Sequence, residues 1–265
     1  MKYQGIYFMK KTLIALAVAA SAAVSGSAMA WTVNGDGGSV SLSGAVNVLA
    51  ADTPWEVQTG DAVSGLDATI HTGDRKVEIP VKNTIPVLAI RTTTDTPFKG
   101  QNGISPQIDF NGAIDINSFN QGKTNLTLEV KDTSDKKIGT LTTILSTGAE
   151  ASVSNGTISS KYNVFAANPG NAFYGGVGKS NDKIYDKGWF LANLISTDNV
   201  KNYKDQSGSY KPEGSIVNFE NPLFTYSAFY AAGILNNAVI SIVLDDPAKS
   251  NITWKASLPV SVTYQ

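Results

Sequence analysis

Few side chains in this 265-residue chain have the types and spacing that enzyme chemistry needs. His71 is the only histidine and cysteine is absent, so a nucleophile with its base would have to be built around one residue of a polar segment, residues 70–76 (IHTGDRK). The G-x-S-x-G motif of many hydrolases does not occur. The sequence therefore predicts a protein that is not an enzyme and that uses no cofactor.

Two motifs resemble ligand sites but lack required residues. Gly178, Lys179 and Ser180 match the end of a phosphate-binding loop, yet G-x-x-x-x-G-K-S needs glycine where Phe173 stands. Asp182 and other nearby carboxylates do not follow the Asp-x-Asp-x-Asp-Gly spacing of a calcium loop. We therefore predict no metal site here.

Residues 165–223 interrupt the alternating pattern of the chain with glycines and aromatic side chains, and these suit sugar binding. Tyr185 and Trp189 are candidates to pack on a sugar ring, with Asp182 and Lys187 placed to bind its hydroxyl groups. The alternatives are that Trp189 belongs to the core and that the insertion only caps an open end of the domain.

The first thirty residues have the pattern of an export signal. Lys10 and Lys11 precede an apolar run at residues 13–24, and Ala28, Met29 and Ala30 form a small-x-small cleavage site. Cleavage would leave 18 basic and 22 acidic residues, a net charge of −4. Because nucleic-acid binding needs a concentrated basic surface, this even, mildly acidic chain is not expected to bind nucleic acid.

Short period-two segments separated by turn residues predict an all-β antiparallel sandwich. The pair at 125–130 and 137–145 predicts a hairpin with a polar turn between its strands. The other predicted strands lie at residues 76–81, 86–91, 107–110, 113–116, 226–230, 238–244 and 254–264. One helix is predicted over residues 187–203, with Trp189, Leu191, Leu194 and Ile195 on one face.

Both ends of the chain after the signal alternate with period two. In residues 39–48 one face consists of small or apolar side chains: Val40, Leu42, Gly44, Val46 and Val48. In residues 254–265 one face consists of Trp254, Ala256, Leu258, Val260, Val262 and Tyr264. Taken alone, residues 39–48 are an edge strand of their own domain. Pro259 cannot donate a backbone hydrogen bond, so the last strand tolerates a free or irregular edge.

The order and spacing of several segments resemble the FaeG-type fimbrial subunit family, the major adhesive pilins of chaperone–usher fimbriae from enterotoxigenic enterobacteria. The segments are the export signal, WTVNGDGGSVSLSG after it, PWEVQTG, NTIPVLAIRTTTDTPF, GISPQIDF, AFYGGV, and SAFYAAGI through TWKASLPVSVTYQ. The likeness covers nearly all of the chain after the signal and departs from the family between about residues 151 and 221, where the family carries its receptor-binding subdomain.

The resemblance implies an incomplete immunoglobulin-like β-sandwich, the pilin fold, which a donor strand completes and which carries a small, partly helical insertion. Residues 1–30 would be the signal, 31–48 the donor extension and 49–265 the pilin domain, with the insertion at about 165–223. The donor residues would be Val40, Leu42, Gly44, Val46 and Val48; the strand beside the groove would present Trp254, Leu258, Val260, Val262, Tyr264 and Gln265.

The same resemblance implies the partners and the location. These partners are identical or related subunits, a periplasmic chaperone whose basic residues hold the Gln265 carboxylate, an outer-membrane usher and a host glycan receptor. The protein would pass through the periplasm to a surface fimbrium, polymerise by donor-strand exchange and attach bacteria to host glycoconjugates. The alternative is a structural or minor pilin that binds no receptor.

Overall fold

Twelve strands and one short α-helix make up residues 52–265, the part of the chain that the computed structural model describes. The predicted signal and donor extension lie outside these residues. The strands are β1 Trp55–Thr59, β2 Lys76–Pro80, β3 Ile85–Thr92, β4 Phe98–Lys99, β5 Pro106–Asp109, β6 Lys123–Lys131, β7 Lys137–Ser154, β8 Ser159–Val164, β9 Ser209–Ser215, β10 Thr225–Ile234, β11 Val239–Leu244 and β12 Ser261–Tyr264. Helix α1 spans Gly188–Ile195, between 3₁₀ turns at Asn181–Lys183 and Thr197–Val200.

Strand β7 is 18 residues long and pairs with more strands than any other strand of the ten-stranded sheet that contains it. Its first half pairs with β6 on one side and with β11 on the other, and β2 follows β11. Its second half pairs with β10 and β8; β3 and then β1 follow β10. These pairings are antiparallel, whereas β9 joins β8 in parallel and β12 pairs with β5 separately. The predicted all-β sandwich and the β6–β7 hairpin are confirmed.

A cluster of aromatic rings fills one part of the core. It consists of Trp55, Phe98, Phe173, Phe219, Tyr226 and Tyr230, with neighbouring ring centroids 5.1–6.2 Å apart. The indole N–H of Trp55 donates a buried 2.6 Å hydrogen bond to the carbonyl oxygen of Ile104. Because Phe173 and Phe219 come from residues 165–223, the insertion contributes directly to the main core.

Buried polar groups fix the insertion to β7 and β8. The Tyr203 hydroxyl donates a 2.8 Å hydrogen bond to the Glu150 carboxylate, whose burial raises the pKa of this glutamate. The Asn163 side chain donates to the carbonyl oxygen of Asp186 at 2.7 Å and accepts from the Gly188 amide at 2.9 Å. The start of α1 is therefore held in place by side chains of the sandwich.

The helix is shorter than predicted, and two of the four side chains predicted to share its buried face are exposed. It ends at Ile195, because Ser196 is extended and its hydroxyl oxygen accepts the Asp198 amide of a 3₁₀ turn. The side chains of Leu191 and Ile195 are buried as predicted, but Trp189 and Leu194 are 44% and 47% exposed. The inward face begins instead at Gly188, where a side chain would stand 2.7 Å from the carbonyl oxygen of Ala149.

Some strands also differ from the prediction. Residues 113–116 form no strand, only an isolated bridge between Ile114 and Leu126. Strands β1, β4, β8 and β9 are not among the predicted ones, and β7 extends nine residues beyond its predicted end. No helix within residues 52–265 is long and apolar enough to cross a membrane.

We expect Tyr230→Phe to raise the free energy of unfolding by about 1 kcal/mol, because the Tyr230 hydroxyl is buried with no hydrogen-bond partner among the described residues. Urea unfolding of the purified protein measures the change. Tyr203→Phe is the matched control: it removes a hydroxyl that is bonded to Glu150 and should lower stability by about 1–3 kcal/mol. Equal losses for both variants would contradict the prediction.

Candidate strand-binding groove

An open groove runs between two segments of chain, the N-terminal flank (residues 61–72) and the C-terminal flank (residues 250–260). Its volume is about 990 Å³. The floor consists of apolar side chains from β6, β7 and β11: Leu126, Leu128, Val130, Leu141, Ile240, Ile242 and Leu244. No titratable side chain lies in this floor, so the groove suits an uncharged ligand.

The side chains of the C-terminal flank alternate as the sequence predicts. Trp254, Ala256, Leu258 and Val260 are partly buried and pack on the core, and Val262 and Tyr264 continue the series in β12. The residues between them are exposed. The predicted strand at 254–264 is only partly correct, because ladder pairing is limited to β12 at Ser261–Tyr264 and one bridge at Lys255.

The bonded residues of this segment are odd-numbered, although Ser257 and Pro259 make no backbone hydrogen bond among the described residues. Lys255 exchanges two 2.9 Å hydrogen bonds with Lys131, and Gln265 exchanges bonds of 2.9 and 3.1 Å with Ser105. In an extended strand, successive residues direct their N–H and C=O groups to opposite edges. Odd-numbered residues therefore bond away from the groove, and even-numbered residues present their backbone groups toward it.

The groove edge of the C-terminal flank is unpaired within the described part of the chain. Ala256, Leu258 and Val260 make no backbone hydrogen bond with any residue of 52–265. Pro259 has an odd number, so its missing N–H lies on the edge that faces away from the groove. The irregular edge that Pro259 predicts is therefore the one facing away from the groove. A partner strand would use the other edge, which faces the groove.

The N-terminal flank forms no strand, and its middle is also without backbone hydrogen bonds among the described residues. Its ends are fixed by the Gly60 amide, which donates to Val87 at 3.1 Å, and by the Gly73 amide, which donates to Ala248 at 2.8 Å. Between them, residues 61–70 make no backbone hydrogen bond to other described residues. The side chains of Leu66 and Ile70 pack on the core. The free backbone edge of the C-terminal flank, beside an apolar floor, can accept an added strand.

The candidate glycan residues lie in the chain between the 3₁₀ turn at Asn181–Lys183 and the first turn of α1, and none of them lines the groove. Asp182 and Lys187 are exposed, and Trp189 extends from the outer face of the helix. Tyr185 is half-buried and packs on the small cluster beneath α1. The outer face also carries Phe190, 54% exposed, which sequence reasoning missed because it assumed a different inward face.

Sequence reasoning also missed the N-terminal flank. Its residues, DAVSGLDATIHT, have no regular period, so nothing in them predicts an edge beside a groove. The donor residues Val40, Leu42, Gly44, Val46 and Val48 lie outside the described residues, so their placement stays a prediction. Among residues 52–265, no cluster of three or more histidine, aspartate or glutamate side chains could hold a metal ion.

Comparison with known proteins gives consistent matches over the length of the chain. A family model described as "Fimbrial, major and minor subunit" matches residues 9–265. The K88 fimbrial protein AC of Escherichia coli is 28% identical over 296 residues, covering 97% of this chain and all of the relative. The F41 fimbrial protein of Escherichia coli is 29% identical over 283 residues, again covering 97% of this chain and all of the relative.

Neighbouring amides of the C-terminal flank should differ in their rates of hydrogen exchange. We expect the amides of Ala256 and Leu258 to exchange rapidly in the isolated protein, whereas the Lys255 amide, bonded to Lys131, should be protected. Residue-resolved NMR exchange makes the measurement, and Lys255 is the internal control. Protection of both even-numbered amides in the isolated protein would mean that this edge is already paired.

Proposed function

The chain belongs to the family of fimbrial major and minor subunits, and on this premise we propose that it polymerises by donor-strand exchange. Members of this family are surface components without enzymatic activity, and the chain is accordingly a fimbrial subunit that assembles with related subunits. The observation that carries the proposal is the groove, with an apolar floor and a free backbone edge along the C-terminal flank.

The proposed ligand is residues 39–48 of a neighbouring subunit, within a donor extension that spans residues 31–48. Each of Val40, Leu42, Val46 and Val48 would contribute roughly 1.5–3 kcal/mol if fully buried, on the order of 6–12 kcal/mol together before ordering costs. Backbone pairing with the C-terminal flank would add hydrogen bonds that neither partner makes alone. Residues 49–265 would form the pilin domain that receives the strand.

Two assembly partners follow from this proposal. An unpaired strand edge favours aggregation, so a periplasmic chaperone would fill the groove until an outer-membrane usher replaces it with a subunit strand. Export to the periplasm would use residues 1–30 as a signal. Trp254, Leu258, Val260, Val262 and Tyr264 would form the strand that the chaperone pairs with, ending at Gln265.

We further propose that the subunit binds host glycoconjugates through residues 165–223. The support is the outer face of α1, where Trp189 and Phe190 are exposed side by side, with the charged Asp182 and Lys187 nearby in the chain. Exposed rings are costly to leave in water and suit the apolar face of a sugar. The alternative is a structural subunit in which this surface binds no receptor.

Leu42→Arg should abolish incorporation of the subunit into fimbriae while leaving chaperone capture intact, because a charged side chain cannot enter the apolar groove of the next subunit. Immunoblots of periplasmic and surface fractions measure both steps. Ser41→Arg is the matched control: its side chain lies on the opposite face of the strand and should be tolerated. Surface fimbriae of normal length from the Leu42→Arg variant would contradict donor-strand exchange.

Trp189→Ala should reduce glycan binding at least tenfold, the loss expected when an aromatic contact worth about 1.4 kcal/mol is removed. The measurement uses a glycan array and a subunit completed by its own donor strand fused after Gln265. Leu223→Ala, which alters another exposed apolar side chain, is the control. Undiminished binding by Trp189→Ala would place the site elsewhere, and no binding by the unaltered protein would favour the structural alternative.

A further inference from the structure

We propose that the donor strand, residues 39–48, pairs with the C-terminal flank of a second copy of this chain in one antiparallel register, with Leu42 opposite Ala256 and Gly44 opposite Trp254. This inference rests on the proposed donor-strand exchange and goes beyond it by naming the residues that select the register. The register continues with Val40 opposite Leu258 and Val46 opposite Ile252.

The sizes of the facing side chains select this register. The groove edge presents one large ring at Trp254 and, two residues later, the small Ala256, followed by Leu258. The donor strand presents Leu42, its largest inward side chain, and then Gly44, which has none. Directly opposite side chains on paired strands approach within about 4.5–5.5 Å, so the large residue of each strand fits beside the small residue of the other.

A shift of two residues removes this match in either direction. One shift brings Leu42 against Trp254 and leaves Gly44 beside Ile252, which crowds the centre of the groove. The other brings Gly44 against Ala256 and leaves a void there, with Val46 against Trp254. Crowding and voids in an apolar interior each cost stability, so both shifted registers are disfavoured. A shift of one residue would turn the serines at positions 39, 41 and 43 into the groove.

The backbone supports the same arrangement. Even-numbered residues of the C-terminal flank direct their free N–H and C=O groups at the groove, so Leu42 and Ala256 would exchange two hydrogen bonds. Pro259 does not interrupt this ladder, because its position on the other edge places its missing N–H away from the donor. Residues 37–51 contain no charged side chain, which matches the uncharged floor.

Disulfide trapping tests the register, and the absence of cysteine from the chain makes the background clean. In the proposed register, Ser41 faces Ser257 and Ser43 faces Lys255, with all four side chains directed outward. These would be non-hydrogen-bonded pairs with Cα atoms about 4.5 Å apart, within the range of about 4.4–6.8 Å that disulfides span. We therefore expect Ser41→Cys/Ser257→Cys and Ser43→Cys/Lys255→Cys to give covalent ladders of subunits on non-reducing gels.

The same four positions supply the controls. Ser41→Cys/Lys255→Cys and Ser43→Cys/Ser257→Cys are bridged only in the two shifted registers, and we expect them to remain monomeric after boiling without reductant. All four variants are compared as assembled fimbriae of the full chain. Normal fimbriae under reducing conditions verify that each variant folds and assembles.

The outcomes separate the register from the proposed function. Ladders from the control pairs instead of the expected pairs would overturn the register and leave donor-strand exchange standing. Fimbriae that assemble under reducing conditions without a ladder from any pair would overturn donor-strand exchange along this flank. Disulfides within single subunits would show a chain filling its own groove, which overturns pairing between copies.

A second test enlarges one side chain of the proposed pair and shrinks the side chain opposite to it. Gly44→Leu should prevent assembly because the new side chain collides with Trp254. Adding Trp254→Ala to the same chain should restore fimbriae, since the small residue then stands opposite the large one. Rescue by Leu258→Ala instead of Trp254→Ala would place Gly44 opposite Leu258, about four residues along the flank from Trp254. That result would overturn the proposed register.

Discussion

The backbone edge at Ala256, Leu258 and Val260 is the constraint on which the rest of the groove depends. Ala256, Leu258 and Val260 make no backbone hydrogen bond among residues 52–265, so their N–H and C=O groups are free to pair with an added strand. A strand from another molecule satisfies the edge and covers the floor in one step, which makes completion of the fold and polymerisation the same event in the proposed mechanism.

The insertion is built into this sandwich and is not attached by a flexible linker. Phe173 and Phe219 lie in the aromatic core, and the buried pair of Glu150 and Tyr203 joins the middle of β7 to the chain beyond α1. Helix α1 lies so close to β7 that Gly148 and Gly188 allow no side chain between them. The exposed rings of α1 are consequently held in a fixed position relative to the sheet, which suits repeated binding along a fibre.

The sequence predicts those strands of the fold that have one apolar, buried face and one polar, solvated face. Strands with one buried and one solvated face, such as β6 and the flank at Trp254, alternate clearly and were predicted. The second half of β7 was not predicted, because the core covers one of its faces and α1 covers the other. Small side chains are therefore buried on both faces, and the alternation between apolar and polar residues disappears. The N-terminal flank was missed for the opposite reason: it packs through only Leu66 and Ile70 and carries no regular pattern.

Strand β1 has a mechanical consequence in a fibre joined in this way. Tension would enter each subunit along residues 52–54 and reach β1, whose five residues pair antiparallel with β3 at the edge of the sheet. A pull along the strand axis loads these hydrogen bonds in shear, so they share the force and do not open one after another. Trp55, bonded to Ile104 and enclosed by aromatic rings, secures the first residue of that ladder against slipping. The strength of the fibre under flow would thus depend on this anchor as well as on the groove.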